Sequence, residues 1–260
     1  MFDPAAFQAL RRGAWGASLE WHARLESTQD AMRDRVRHVG VETGAVIGAE
    51  AQSAGRGRWG RVWEGEAGQS LLFTLAVPSA PLHGSLSQAP LVLGLGLCRA
   101  MEALGQQDLA LRWPNDLTWT GRKLAGLLVE QEGGQLLIGL GLNVGQDEDA
   151  FSPALRASAA SLKQAGCREL RREPLLAAVL EGLEKAWSDW QIQGFEPLRL
   201  AWEARAEGRG ALLQVQPSAG EAWVGRWAGL HISGALEVQP SQGPLRLLAS
   251  GEVQRLVYPR

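Results

Sequence analysis

Apolar and polar positions along this chain switch between two periods, and the elements follow from the switches. Residues 45–51, AVIGAEA, and 69–77, QSLLFTLAV, are compact apolar runs that read as strands. From Gln88 to Leu104 the period becomes helical, with Leu91, Leu95, Cys98 and Met101 on one face. Gly94 and Gly96 within that helix are expected to let it pack closely on a sheet. LALRW (109–113) is a strand stopped by the turn Pro114-Asn115-Asp116, and 117–120 resume extended structure. LAGLLVEQE (124–132) and QLLIGLGLNVG (135–145) flank Gly133-Gly134, a hairpin signal. Their continuous apolar character says that both faces are covered, with helices on one.

The rest of the chain is helical before and after these strands. Residues 1–17 predict a short helix, and Ser27 or Thr28 caps a polar one running to about Val39. Residues 153–166 read as short helical pieces. An amphipathic helix starts at Glu173-Pro174 and reaches about Trp190, with Leu176, Val179, Leu180, Leu183, Trp187 and Trp190 on one face. Another covers about 196–206. From Ala211 to Val257 five short apolar runs separated by turn signals predict a small β-barrel that packs on the main body. The expected organisation is an α/β (α+β) fold in two parts, 1–207 and 208–260.

Composition narrows the class. A formal net charge of −2 does not describe a protein that coats nucleic acid or a membrane. Cys98 and Cys167 match no metal or disulfide spacing and read as small packing residues. The N-terminus lacks a signal-peptide pattern, and no apolar stretch approaches the ~20 residues of a membrane span. The expected location is the cytoplasm. The 11 tryptophans are assigned to packing.

Candidate chemistry concentrates in QSAGRGRWGRVW (52–63), which interleaves Gly55, Gly57 and Gly60 with Arg56, Arg58 and Arg61. Glycine lets the main chain approach a ligand, and arginine carries a fixed charge and a donor fork that suits carboxylates and phosphates. Such a loop between two strands can close over an anion; a basic surface loop is the plainer alternative. Gly126, Gly139 and Gly141 inside strands leave room either for a flat ligand or for close helix packing.

Four segments in series resemble the biotin protein ligases: Glu26-Ser27-Thr28-Gln29, GRGRWGRVW with Gln52 just ahead, RWPNDL (112–117) and RKLAGLLVE (122–130). GLGLNV (139–144) fits the strand that follows, and the C-terminal pattern looks like the family's small SH3-like domain. The resemblance implies a class II synthetase-like mixed sheet flanked by helices. It implies an ATP-dependent ligase that makes biotinyl-5′-AMP and transfers biotin to a lysine of a biotin carboxyl carrier protein domain, with ATP, biotin and Mg²⁺ bound. By the same pattern, Ser27, Thr28, Gln29, Gln52, Gly55, Arg56, Gly57 and Gly126 belong to the biotin site. Arg58 and Lys123 serve both ligands. Trp63, Asn115, Asp116 and Asn143 face the nucleotide. Lys123, Arg58 and Asp116 are the catalytic candidates, and Mg²⁺ is placed near Asp116.

Two departures qualify the match: Arg112 stands where many members have Lys, and Trp59 occupies a loop position that is often basic. About 26 residues precede Ser27, too few for the winged helix of ligases that double as repressors. Sequence-specific DNA binding is therefore not expected. A homodimer is compatible with the sequence. The rivals are a lipoate–protein ligase on the same fold and a non-catalytic biotin-binding regulator.

Overall fold

The computed structural model describes residues 1–79 and 85–255. Part of the Pro-, Ser- and Gly-rich stretch 78–90 and part of the last expected run to Val257 lie outside the described residues. A seven-stranded mixed sheet forms the body, in the order β1-β2-β3-β7-β6-β5-β4. Its strands are β1 (Leu19–His22), β2 (Ala45–Ala49), β3 (Ser70–Pro78), β4 (Leu109–Arg112), β5 (Asp116–Trp119), β6 (Arg122–Glu132) and β7 (Gln135–Asn143). Only β1 and β2 run parallel; the other neighbours are antiparallel. β6 and β7 form the expected hairpin, with Gly133 and Gly134 at φ 54° and 77°, values only glycine adopts without strain.

Side-chain parity divides the sheet into two faces. Leu71, Phe73, Leu75 and Val77 of β3 and Leu136, Ile138, Leu140 and Leu142 of β7 point to the back. There they meet α3 (Ala89–Ala103), α4 (Arg172–Gln193) and α5 (Glu196–Glu203). Gly96 packs not on the sheet, as expected, but on α4. A Cβ there would stand 2.6 Å from the Gly182 carbonyl oxygen, and one on Gly182 would stand 2.7 Å from that of Gly96. Two facing glycines let the helix backbones touch. On the front, α2 (Thr28–His38) covers part of the sheet through Met32, which packs on Ile47, Ala76 and Leu137. Helices thus lie on both faces.

The back holds one buried ion pair. Arg172 Nη1 donates to Glu50 Oε2 at 2.6 Å. The other oxygen, Oε1, accepts from Phe2 N at 2.6 Å and Trp21 Nε1 at 3.1 Å. Burial works to raise the carboxyl's pKa. The Arg172 hydrogen bond, the Phe2 amide, the Arg172 charge and the Trp21 indole together bring it below its ordinary 4.5. With Phe2 stacked 3.8 Å from Trp21, this pair pins α1 (Pro4–Leu10) to the body.

One element was not expected here, and one expectation fails. Strand β1 has only four residues, LEWH, and no apolar run to announce it. Segment 153–166 contains turns and no helix; it is held by backbone bonds to Lys123, Asn143 and Val144 rather than by its own periodicity.

The last strands are β8 (Leu212–Pro217), β9 (Trp223–Leu230), β10 (Leu236–Pro240), β11 (Arg246–Leu248) and β12 (Gly251–Arg255). They make the small curled antiparallel sheet, in the order β11-β10-β9-β8-β12. Leu213, Val215, Trp227, Leu236 and Val238 join the same hydrophobic cluster as the back of the large sheet. Trp113 Nε1 donates to Gly234 O at 3.1 Å, and Arg112 grips Glu207 with two bonds of 3.0 Å.

Candidate active site

The front face is floored by a row of residues in register across four strands. Leu72 of β3 lies opposite Gly141 of β7, Gly141 opposite Gly126 of β6, and Gly126 opposite Asp116 of β5. A neighbouring row holds Thr74, Gly139 and Leu128. Above them is a cavity of about 370 Å³, within the size range of small-molecule sites.

Each wall comes from a different part of the chain. Ser27 is the N-cap of α2, its Oγ accepting from Asp30 N at 3.4 Å. Gln52 Oε1 accepts from Thr28 N at 2.7 Å and from Thr28 Oγ1 at 3.1 Å, which ties the loop to the helix start. Arg56 Nε pairs with Asp30 Oδ2 at 3.0 Å. Arg58 Nη1 donates to Asn115 Oδ1 at 3.3 Å and so bridges the loop to the β4–β5 turn. Asn115 is itself fixed by donating to Leu127 O at 2.6 Å.

Lys123 reaches this cavity because of a β-bulge. Thr118 pairs with Lys123 and Leu117 with Ala125, so Leu124 is the extra residue. The bulge turns the Lys123 side chain to the same face as Gly126, where Nζ meets Asp116 Oδ1 at 2.7 Å. Lys123 Nζ also stands 5.6 Å from the centroid of the Trp63 ring. Trp63 lies on Gly141, where a Cβ would approach its ring to 2.5 Å. The three strand glycines therefore make room for protein: Gly139 for Gln29, Gly141 for Trp63 and Gly126 for Lys123.

Of the residues singled out from sequence, Ser27, Thr28, Gln29, Gln52, Arg56, Gly57, Arg58, Trp63, Asn115, Asp116, Lys123, Gly126 and Asn143 line this one cavity. Gly55 does not. It sits beneath the loop, its carbonyl accepting from Trp63 N at 3.0 Å. Gln29 is spent internally, donating to Glu130 Oε2 at 2.9 Å and to Leu137 O at 3.2 Å. Asn143 donates to Ala160 O at 3.0 Å. Trp59 has a left-handed backbone at φ 65° and is half exposed. Arg112, held by Glu207, is not a mobile cation.

Sequence reading missed Thr74, Phe151, Leu155 and Val253, which also line the cavity. Thr74 could have been found as the one polar residue in LLFTLAV. Its Oγ1 donates to Thr28 Oγ1 at 3.0 Å or to Gln29 Oε1 at 3.1 Å. Phe151 and Leu155 come from turns, and Val253 from β12, 181 residues after Leu72 (253 − 72). Among the described residues no group of three His, Cys, Asp or Glu side chains could hold a metal by itself. Neither cysteine is in the cavity; burial and the nearby Glu102 charge push the Cys98 thiol up to about 12.

A Gly-Arg loop, a helix start and a strand lysine converge on one cavity of a mixed sheet, the arrangement of a small-molecule enzyme site. The Biotin/lipoate A/B protein ligase family model matches residues 21–147. The biotin–[acetyl-CoA-carboxylase] ligase of Paracoccus denitrificans is 31% identical over 220 residues, covering 78% of this chain and 88% of its own. The bifunctional ligase/repressor BirA of Bacillus spizizenii is 28% identical over 251 residues, covering 94% of this chain and 76% of its own. Among solved structures, the Aquifex aeolicus biotin protein ligase in complex with biotin and ATP superposes with a TM-score of 0.82 at 26% identity, over 92% of this chain and 100% of that one. The chain belongs to the biotin protein ligase family, and it is a ligase. No helix among the described residues is long and apolar enough to cross a membrane.

Proposed function

We propose that this cavity holds biotin and ATP together, makes biotinyl-5′-AMP, and passes the biotinyl group to a lysine of a biotin carboxyl carrier domain. The observation that carries the reading is that Lys123 and the loop arginines Arg56 and Arg58 face one cavity from two walls. The reaction joins two anions, so fixed cations supply what it most needs.

Ser27, Thr28 and Gln52 bind the ureido ring of biotin, with Gln29 holding the helix start to the sheet. Lys123 and Arg58 lie over the carboxylate and the α-phosphate. A carboxylate oxygen attacks that phosphorus and pyrophosphate leaves with the bond's electron pair. Closure of the loop at Gly55 and Gly57 keeps water from the anhydride. Trp63, Asn115 and Asn143 wall the nucleotide. The acceptor amine then attacks the acyl carbon and AMP leaves.

Mg²⁺ commonly binds through one or two carboxylates plus substrate phosphates, and the Asp116 carboxylate in the cavity fits that pattern. Asp116 would hold it, and the ion would neutralise phosphate charge. We also assign residues 1–207 to the catalytic part and 208–260 to a companion that completes the cavity wall through Val253. For a homodimer, the open edge is β1, because β4 is covered where Leu111 bonds to Arg205 and Glu207.

The test is pyrophosphate release from ATP and biotin by the purified protein. A stoichiometric burst that becomes turnover when a carrier domain is added is the expected result. Release with lipoate and none with biotin would move the assignment to lipoate chemistry. Arg58→Gly is expected to leak biotinyl-AMP and label bystander lysines, read by blotting mixed proteins with streptavidin; labelling confined to the carrier would remove Arg58 from its retaining role.

A further inference from the structure

The floor row of the cavity runs on to a fifth strand. Asp116 of β5 lies opposite Arg112 of β4, so the row reads Leu72, Gly141, Gly126, Asp116, Arg112. Arg112 lines the cavity with the rest. The helix start that carries Ser27 and Thr28 is at the other end of the sheet front, where Thr28 is bonded to Thr74 of β3. Arg112 therefore stands beyond Lys123 and Asp116 as seen from the biotin end. Two strand spacings, about 10 Å, separate its backbone from that of Gly126, within reach of a long side chain.

The guanidinium is gripped from one side. Nε donates to Glu207 Oε2 and Nη2 to Glu207 Oε1, both at 3.0 Å, and Nη2 also donates to Gly121 O at 2.6 Å. Asp116, directly across the strand pair, is not the partner; it pairs with Lys123. Glu207 is itself fixed: Oε2 accepts from Thr118 Oγ1 at 3.0 Å, and the Glu207 amide donates to Leu111 O at 2.9 Å. A guanidinium has five N–H donors. Three are spent, which leaves the two on Nη1 without a protein partner among the described residues. A lysine could not serve both ends, because its single ammonium would be drawn to Glu207.

We propose that Glu207 is a positioning residue that holds the Nη1 edge of Arg112 ready for the pyrophosphate leaving from ATP. The proposal rests on the ligase reading and gives a residue outside the matched span 21–147 a part in its first half-reaction. In that step a biotin carboxylate oxygen bonds to the α-phosphorus. The bond from that phosphorus to the bridging oxygen breaks, and its electron pair leaves on pyrophosphate. Attacking and leaving oxygens are roughly in line, so charge builds on the side away from biotin. Two donors already oriented there meet it without reorganisation. The second half-reaction involves no pyrophosphate and does not call on the pair.

The experiment uses the full chain with Glu207→Gln, which keeps an oxygen for Thr118 and removes the two-point grip on Arg112. Adenylation is expected to slow about tenfold, and the inhibition constant for pyrophosphate to rise about tenfold. Transfer from added biotinyl-AMP to a carrier domain is expected to be unchanged, which also shows that the variant folds. Arg112→Lys is expected to lose as much as Glu207→Gln, because Glu207 draws the ammonium away. Combining the two substitutions is expected to recover most of that loss, since the lysine is then released. Unchanged adenylation in Glu207→Gln overturns the proposal. So does tighter pyrophosphate binding, the sign expected if the carboxylate only offsets charge in the site. Equal losses in both half-reactions would reduce Glu207 to a structural role, and a double variant no better than Arg112→Lys would show that Glu207 does not aim the cation. No pyrophosphate release by the parent would instead sink the ligase reading itself.

Discussion

The two faces of the large sheet are built from the same strands and do opposite things. Behind it, Leu71, Phe73, Leu75, Leu136, Ile138 and Leu140 are nearly or fully buried and belong to the main hydrophobic core. In front, the alternate positions of the same strands carry Ser70, Leu72, Thr74, Gly139, Gly141 and Asn143. The back stabilises; the front trades side-chain packing for space and donors. The comparison teaches that function here lies in the parity of strand residues, not in their identity as strand residues. Glu50 is the exception, a charge on the stabilising side.

That exception gives the largest expected effect. Arg172→Met leaves the Glu50 carboxylate buried without its cation and should destabilise the fold by about 3–5 kcal/mol in chemical denaturation. Adenylation per folded molecule should be unchanged; a matching loss of rate would mean that the two faces are not separable. Because Glu50's pKa is lowered on folding, its contribution is fully present above its ordinary 4.5 and disappears as the pH falls through the lower folded value. The stability gap between parent and variant should therefore narrow as the pH falls below 4.5.

Lys123→Ala should do the converse. Adenylation should slow on the order of 10²–10³-fold, with the thermal midpoint little altered. A loss under about fivefold would remove Lys123 from the central role. The smallest effect is expected from Gly141→Ala, whose methyl would press on the Trp63 ring. It should cost about 1–3 kcal/mol, divided between stability and ATP binding, read as a raised KM for ATP and a shifted tryptophan emission. A variant with normal KM would show that the indole can move aside freely.

How far the sequence could be read follows the same parity. The long apolar runs announced β3, β6, β7 and α3, because burial on both sides leaves an unbroken hydrophobic signal. Strand β1 was invisible, since LEWH borrows its place from β2 instead of declaring its own. Segment 153–166 looked helical, yet its backbone groups are satisfied by Lys123, Asn143 and Val144. The site was legible where charge and glycine cluster, and Arg58, Asn115 and Lys123 do converge. It was not legible where a residue earns its place only by folding, as with Val253. Gly126, Gly139 and Gly141 were rightly marked as clearances, but what fills them is side chain.

The bulge at Leu124 has one more implication. A strand is a two-beat rhythm, and the motif KLAG carries an extra beat between its lysine and its glycine. In unbroken alternation Lys123 and Gly126, three residues apart, would fall on opposite faces; the bulge brings them to one. Keeping every residue of the motif but straightening the strand would turn the lysine into the hydrophobic side. The spacing is therefore part of the active site, as much as any side chain that lines it.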